Sequence, residues 1–178
     1  MMKARLRSKS RTGVAAVEFA VVMSLVLVPT LIGVWEVGRL VQVQQIVANA
    51  AREGARLASQ AVTISSEGVR TEIRVDSGTP NLNRVIYQYL VLNGLPELTE
   101  ADITTNFVFV SGSLSGVAGA HPFQGKKGDQ YRVTVTIPFN RVRWVNLGIV
   151  NPATVSFSVN WTMLVDDPFT IDPTLTNW

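Results

Sequence analysis

Residues 14–35 form an apolar stretch with a single charged side chain, Glu18. As an α-helix, about 22 residues extend about 33 Å, which is enough to cross a hydrocarbon core of about 30 Å. Pro29 and Gly33 lie within the stretch, and membrane helices tolerate both residue types better than soluble helices do. A chain of 178 residues has little other mass with which to bury so long an apolar helix. The stretch therefore predicts a transmembrane helix.

The charges beside this helix predict its orientation. Five of the 16 basic residues precede residue 12, and no acidic residue precedes Glu18. Because positive flanks stay in the cytoplasm, we expect residues 1–13 to form a basic cytoplasmic leader and the chain beyond residue 35 to be extracytoplasmic. A cleaved secretory signal is the competing interpretation, but its small-residue motif would be Ala48-Asn49-Ala50, too far from the apolar stretch. The basic charge belongs to the leader, so we predict no nucleic-acid partner.

The helical pattern continues past the membrane stretch without a strong breaker. Apolar residues recur at intervals of three and four from Val37 to Ala58, so residues 36–60 are predicted to continue the stem helix outside the membrane. Small residues spaced by four suggest close packing with the helical stems of other subunits, although alanine is also simply a good helix former. The small residues of the two halves are Ala16, Ala20 and Ser24, then Ala50, Gly54 and Ala58.

Residues 61–178 are predicted to form a small α+β domain. Asn81 can cap a short helix that ends before Gly94. Three later segments are predicted strands. Residues 131–137 and 155–165 alternate apolar and polar residues, which is typical of strands with one buried face, and residues 102–110 are rich in Thr, Phe and Val. The fold class is therefore a membrane-anchored α+β protein. A long N-terminal transmembrane and stem helix precedes a small antiparallel sheet of about three strands with a packed helix.

A search for catalytic groups finds little in this sequence. The chain has no cysteine and a single histidine, His121, so a thiolate site and a multi-histidine metal site are excluded. Gly112-Ser113-Leu114-Ser115-Gly116 has leucine where a nucleophile elbow requires serine. We therefore predict no enzyme activity, no metal and no cofactor.

The residues around Gly13 resemble the processing site of type IV prepilins. Gly13 is followed by small or apolar residues and then by Glu18-Phe19. The stretch 11–59 is more specifically similar to the TadE-like pseudopilins of tight-adherence (Flp-type) pilus systems. Four blocks carry this resemblance: Ala16-Val17-Glu18-Phe19-Ala20, Glu36-Val37-Gly38-Arg39, Val43-Gln44-Gln45, and Ala50-Ala51-Arg52-Glu53-Gly54-Ala55-Arg56.

The resemblance implies that a prepilin peptidase cuts between Gly13 and Val14. The new Val14 amine would then lie one helical turn before Glu18, which could pair with it or with the amine of a neighbouring subunit. Phe19 would belong to the same assembly segment.

The sequence thus leads to three hypotheses about function. The first is a minor pseudopilin located in the bacterial inner membrane or associated with the pilus. Its partners are the prepilin peptidase, other pilins, the inner-membrane assembly platform and the lipid bilayer. The second is an uncleaved single-pass membrane protein whose extracytoplasmic domain binds a partner. The third, a membrane-tethered enzyme, is disfavoured by the absence of clustered catalytic groups.

Overall fold

A computed structural model describes residues 12–64, 68–144 and 152–164 of the chain. One long helix is followed by a short hairpin, a second helix and a three-stranded sheet. The elements are α1 (Thr12–Ala58), β1 (Val62–Ile64), β2 (Arg70–Glu72), α2 (Leu82–Leu92), β3 (Thr104–Phe109), β4 (Gln130–Pro138) and β5 (Thr154–Thr162), with 3-10 turns at Glu100–Asp102, Pro122–Gln124 and Phe139–Arg141. The predicted α+β class is confirmed. Residues 1–11 of the predicted leader, and Val165 at the end of the last predicted strand, lie outside the described residues.

The sheet is antiparallel, with β4 between β3 and β5. Alternate residues of β4 are buried, and those between them face away from the core. On the outer face, Arg132 donates to Asn160 (3.0 Å) and the hydroxyls of Thr134 and Ser158 lie 2.7 Å apart. Alternation in the sequence therefore identified β4 and β5, whereas β3 was predicted from its content of threonine, phenylalanine and valine.

The upper half of α1, residues 36–58, is the central element of the α+β domain. Its apolar side is fully buried and packs on β4, β5 and α2; the buried residues are Val43, Val47, Ala50, Ala51, Ala55 and Ala58. Tyr131 of β4 is also buried, and its hydroxyl donates a 2.6 Å hydrogen bond to the carbonyl of Ala55. The helix of the apolar stretch thus continues through this region to Ala58, and the α+β domain is built around it.

Helix α2 lies beside α1 and runs in the opposite direction. Its Asn81 cap was predicted, and the Asn81 side chain accepts a 2.7 Å hydrogen bond from the backbone N–H of Arg84. Three residues on one side of α2 are buried: Leu82, Ile86 and Leu90. The helix ends before Gly94, whose φ of 104° is the left-handed conformation that glycine adopts readily.

The hairpin of β1 and β2 was not predicted. Val62 pairs with Glu72 and Ile64 with Arg70 in antiparallel register. The two strands have three residues each, and Val62 is their one fully buried residue. Such short, largely exposed strands lack the alternation that identifies longer ones.

Candidate functional site

The proposed cleavage site lies at the exposed start of α1. The helix begins at Thr12, so the peptide bond between Gly13 and Val14 lies in its first turn. Apart from its chain neighbours and its own helix backbone, no described atom lies within 4 Å of a Cβ added at Gly13, and Val14 is 62% exposed. Within the described residues, this bond is therefore clear of the α+β domain.

Glu18 and Phe19 follow one helical turn after Val14, and both are exposed. Residues 14 and 18 lie on one face of α1, separated by about 6 Å along its axis. Within the described residues, no hydrogen bond or ion pair involves the carboxylate of Glu18. A carboxylate without a partner is costly at membrane depth, so this position is suited to pairing with a cation from outside the described part.

An open apolar groove follows on the same helix. One end of this groove is formed by Pro29. Proline lacks the N–H that would bond to the carbonyl of the residue four positions earlier, yet α1 continues through Pro29. The groove is lined by Val17, Ala20, Val21, Ser24, Leu25, Val28 and Pro29. Ala20 and Ser24, two of the three small residues singled out in this half, are thus accessible to another helix. Ala16 is exposed on the preceding turn.

The small residues of the upper half are placed differently. Ala50, Gly54 and Ala58 are buried inside the α+β domain. A Cβ atom added at Gly54 would lie 2.8 Å from Cδ1 of Ile86 in α2. The close approach of Gly54 thus occurs within the chain, against α2, and all three residues are buried in the described domain.

A polar cluster not assigned a role from the sequence lies where α1 leaves its apolar stretch. Glu36 and Arg39 are each 5% exposed. Within the described residues, neither carboxylate oxygen of Glu36 has a hydrogen-bond partner, which is an unusual and costly state for a buried acid. Glu36 and Arg39 were visible in the sequence only as one block of the family resemblance.

Arg39 joins three parts of the domain. Its Nε donates to the carbonyl of Val142 (2.9 Å), Nη1 to Oε1 of Gln42 (3.2 Å) and Nη2 to the carbonyl of Gly94 (3.5 Å). Burial lowers the pKa of its guanidinium, and the negative charge of Glu97 partly offsets this effect. Since an arginine keeps its charge under such shifts, Arg39 is a fixed cation that ties the end of the apolar helix to the 3-10 turn after β4 and to the C-terminal end of α2.

The histidine considered from the sequence, His121, makes a structural contact. His121 precedes a 3-10 turn, and its Nδ1 accepts a 3.4 Å hydrogen bond from the backbone N–H of Val75. No group of three or more metal-ligating side chains occurs among the described residues.

Comparison with known proteins now identifies the N-terminal region. Residues 13–56 match the family of TadE-like proteins. This TadE-like segment begins at the glycine of the proposed cleavage site and coincides with α1. No curated protein and no solved structure matches the chain significantly.

The TadE-like segment also contains the membrane anchor. Within residues 12–64, 68–144 and 152–164, α1 is the one helix long and apolar enough to cross a membrane, and none of its most apolar part is buried. The chain is therefore a membrane-anchored α+β protein with a TadE-like helix.

Proposed function

We propose that this chain is a minor pseudopilin that serves in assembling a tight-adherence pilus. The observation that carries this proposal is the TadE-like match, which begins at Gly13 and extends along α1 to residue 56. In this role the chain is inserted in the bacterial inner membrane, with its leader in the cytoplasm and its domain outside. A prepilin peptidase cuts it after Gly13.

The accessibility of the first turn supports processing at this position. A peptidase that approaches the backbone closely is favoured by an uncrowded glycine, and no described atom outside the local helix backbone lies within 4 Å of a Cβ added at Gly13. After the cut, the positive charge on the Val14 amine lies one turn from Glu18, and each charge lowers the cost of the other near the membrane.

The exposed lower half of α1 supports assembly through this helix. The groove that contains Ala20 and Ser24 faces outward, and small residues permit close approach of helices in lipid. In the proposed role, other pilins or components of the inner-membrane assembly platform contact this groove. Glu18 then pairs with its own amine or with that of a neighbour, which fixes the relative height of the two helices.

The alternative is an uncleaved single-pass membrane protein whose domain binds an extracytoplasmic partner. Both proposals require the same anchor and the same domain. They differ in the fate of residues 1–13, so processing distinguishes them.

The experiment compares wild type, Gly13→Leu and Gly33→Leu in the native host. Gly33 is a matched control because it lies in the same helix and, like Gly13, has no atom within 4 Å of an added Cβ. We expect wild type and Gly33→Leu to lose residues 1–13 and Gly13→Leu to retain them, as measured by the intact mass of the membrane-extracted protein. If all three chains retain the leader, or all three lose it, the proposal is wrong.

A further inference from the structure

Residues 142–144 are held against α1 just beyond its apolar stretch. Nε of Arg39 donates to the carbonyl of Val142 (2.9 Å), and its Cζ lies 4.6 Å from the ring centroid of Trp144. The ring of Trp144 also meets that of Trp35 edge to face, with centroids 5.7 Å apart and an interplanar angle of 74°. Trp144 is thus fixed between Arg39 and Trp35.

These contacts set the height of Trp144 along α1. Trp35 ends the apolar stretch, and Arg39 follows one helical turn later, about 6 Å along the axis. Since Trp144 touches both, it lies level with the end of the apolar stretch although 109 positions separate it from Trp35 in the chain. Trp35 is 59% exposed and Trp144 57% exposed.

The end of α2 lies in the same layer. The carbonyl of Gly94 accepts a 3.5 Å hydrogen bond from Arg39, which places the C-terminal end of α2 beside the membrane end of the domain. Leu92, two residues earlier, is 84% exposed. We call Trp35, Trp144 and Leu92 the membrane-end cluster.

We infer that the membrane-end cluster seats the exported domain in the headgroup layer of the bilayer, and that its partner is the lipid surface itself. Tryptophan is favoured at this depth because its ring is apolar while its N–H can bond to polar groups. The cluster is continuous with the apolar helix, which fixes it at the membrane boundary. An exposed tryptophan elsewhere on a domain would carry no such implication.

Contact between the membrane-end cluster and the lipid surface gives the domain a fixed height and tilt on the membrane. The buried Arg39 carries this restraint, because it joins α1 to Val142 and Gly94 at once. A subunit leaving the membrane for a filament would have to withdraw both tryptophans from the lipid. The inference does not depend on cleavage after Gly13, and its test uses lipid alone.

The test measures the depth of single tryptophans in the full chain. The chain has four, Trp35, Trp144, Trp161 and Trp178, and replacing three by phenylalanine leaves one reporter. Each variant is reconstituted in vesicles of phosphatidylethanolamine and phosphatidylglycerol. The vesicles contain lipids brominated either near the carbonyl groups or near the chain ends. Circular dichroism verifies the fold.

Trp161 provides the matched control. It pairs across the sheet with Tyr131, whose hydroxyl bonds to Ala55, and Ala55 lies about 30 Å along α1 from Trp35. We expect the Trp35 and Trp144 reporters to be quenched to a similar degree, more by the shallow bromines than by the deep ones. The Trp161 reporter should keep its fluorescence. Quenching of Trp144 no greater than that of Trp161 would overturn the inference, as would an unquenched Trp35.

A second measurement avoids the triple substitutions. Fluorotryptophan is incorporated into the Trp178→Phe chain, and a paramagnetic headgroup lipid is added to the vesicles. The inference requires the fluorine resonances of Trp35 and Trp144 to broaden and that of Trp161 to remain sharp. Broadening of the Trp35 resonance alone would show that the domain stands clear of the lipid, and the inference would fail.

Discussion

The packing of α1 on α2 depends on the absence of a side chain at Gly54. A Cβ atom there would lie 2.8 Å from Cδ1 and 2.9 Å from Cγ1 of Ile86, and 3.3 Å from Cδ1 of Leu82. Ile86 and Leu82 are both fully buried, so neither can move aside without disturbing its own neighbours. We therefore predict that Gly54→Ala strains the contact between the two helices.

The size of the effect follows from two opposing contributions. Alanine in place of glycine inside a helix stabilises it by about 1 kcal/mol, whereas overpacking a core typically costs about 1–3 kcal/mol. Gly38→Ala is the matched control, because Gly38 lies in the same helix with no atom within 4 Å of an added Cβ. The free energies of unfolding of the two variants should differ by about 1–3 kcal/mol, with Gly54→Ala the less stable.

Chemical unfolding of the full chain in detergent, followed by circular dichroism, measures both variants. A double-mutant cycle with Ile86→Val tests the cause, since this substitution removes the Cδ1 atom nearest to the new Cβ. Gly54→Ala should cost less in the Ile86→Val background than in wild type. If Gly54→Ala stabilises the protein as much as Gly38→Ala does, the close approach of α1 and α2 is wrong.

Three further predictions concern the sheet, the assembly segment and the topology. Tyr131→Phe should lower the free energy of unfolding by about 1 kcal/mol through loss of the bond to Ala55. Burial raises the pKa of Tyr131, so its hydroxyl proton is lost from the unfolded chain at a lower pH than from the folded one. The free energy of unfolding of the wild type should therefore fall as pH rises above about 10, and that of Tyr131→Phe should fall less. Chemical unfolding at several pH values measures both. Glu18→Gln should be inserted and cleaved but should not support pilus-dependent adherence. Normal adherence together with normal cleavage would show that Glu18 has no role in assembly. Ser113→Cys, in a chain without other cysteines, should react with a membrane-impermeant maleimide in intact spheroplasts. Labelling only after lysis would show that the topology is the opposite of the predicted one.

Local patterns were sufficient to predict most of the elements. Helix α1 follows from its apolar composition and its three- and four-residue periodicity, and α2 from the Asn81 cap and Gly94. The long strands β4 and β5 follow from strict alternation. These signals depend on neighbours in the chain, and a sequence displays them directly.

The arrangement of these elements depended on contacts between distant residues. Gly54 was assigned to packing between subunits because a ridge of small residues does not specify its partner, which proved to be α2. The pairing of Trp144 with Trp35 likewise has no local signal, because it depends on the path of the whole domain. The sequence did point to Gly13, Val14 and Glu18, through their spacing and their resemblance to prepilins. It assigned no role to Glu36 or Arg39, whose burial arises only when the domain folds around α1.

The N-terminal residue of the mature protein tests the central claim most directly. The protein is extracted from the membranes of its own host and analysed by N-terminal sequencing and intact mass. Processing as proposed predicts a chain that begins at Val14 and lacks residues 1–13. A chain that still begins with the basic leader, or one cut at any other bond, would contradict the assignment of this protein as a processed pseudopilin.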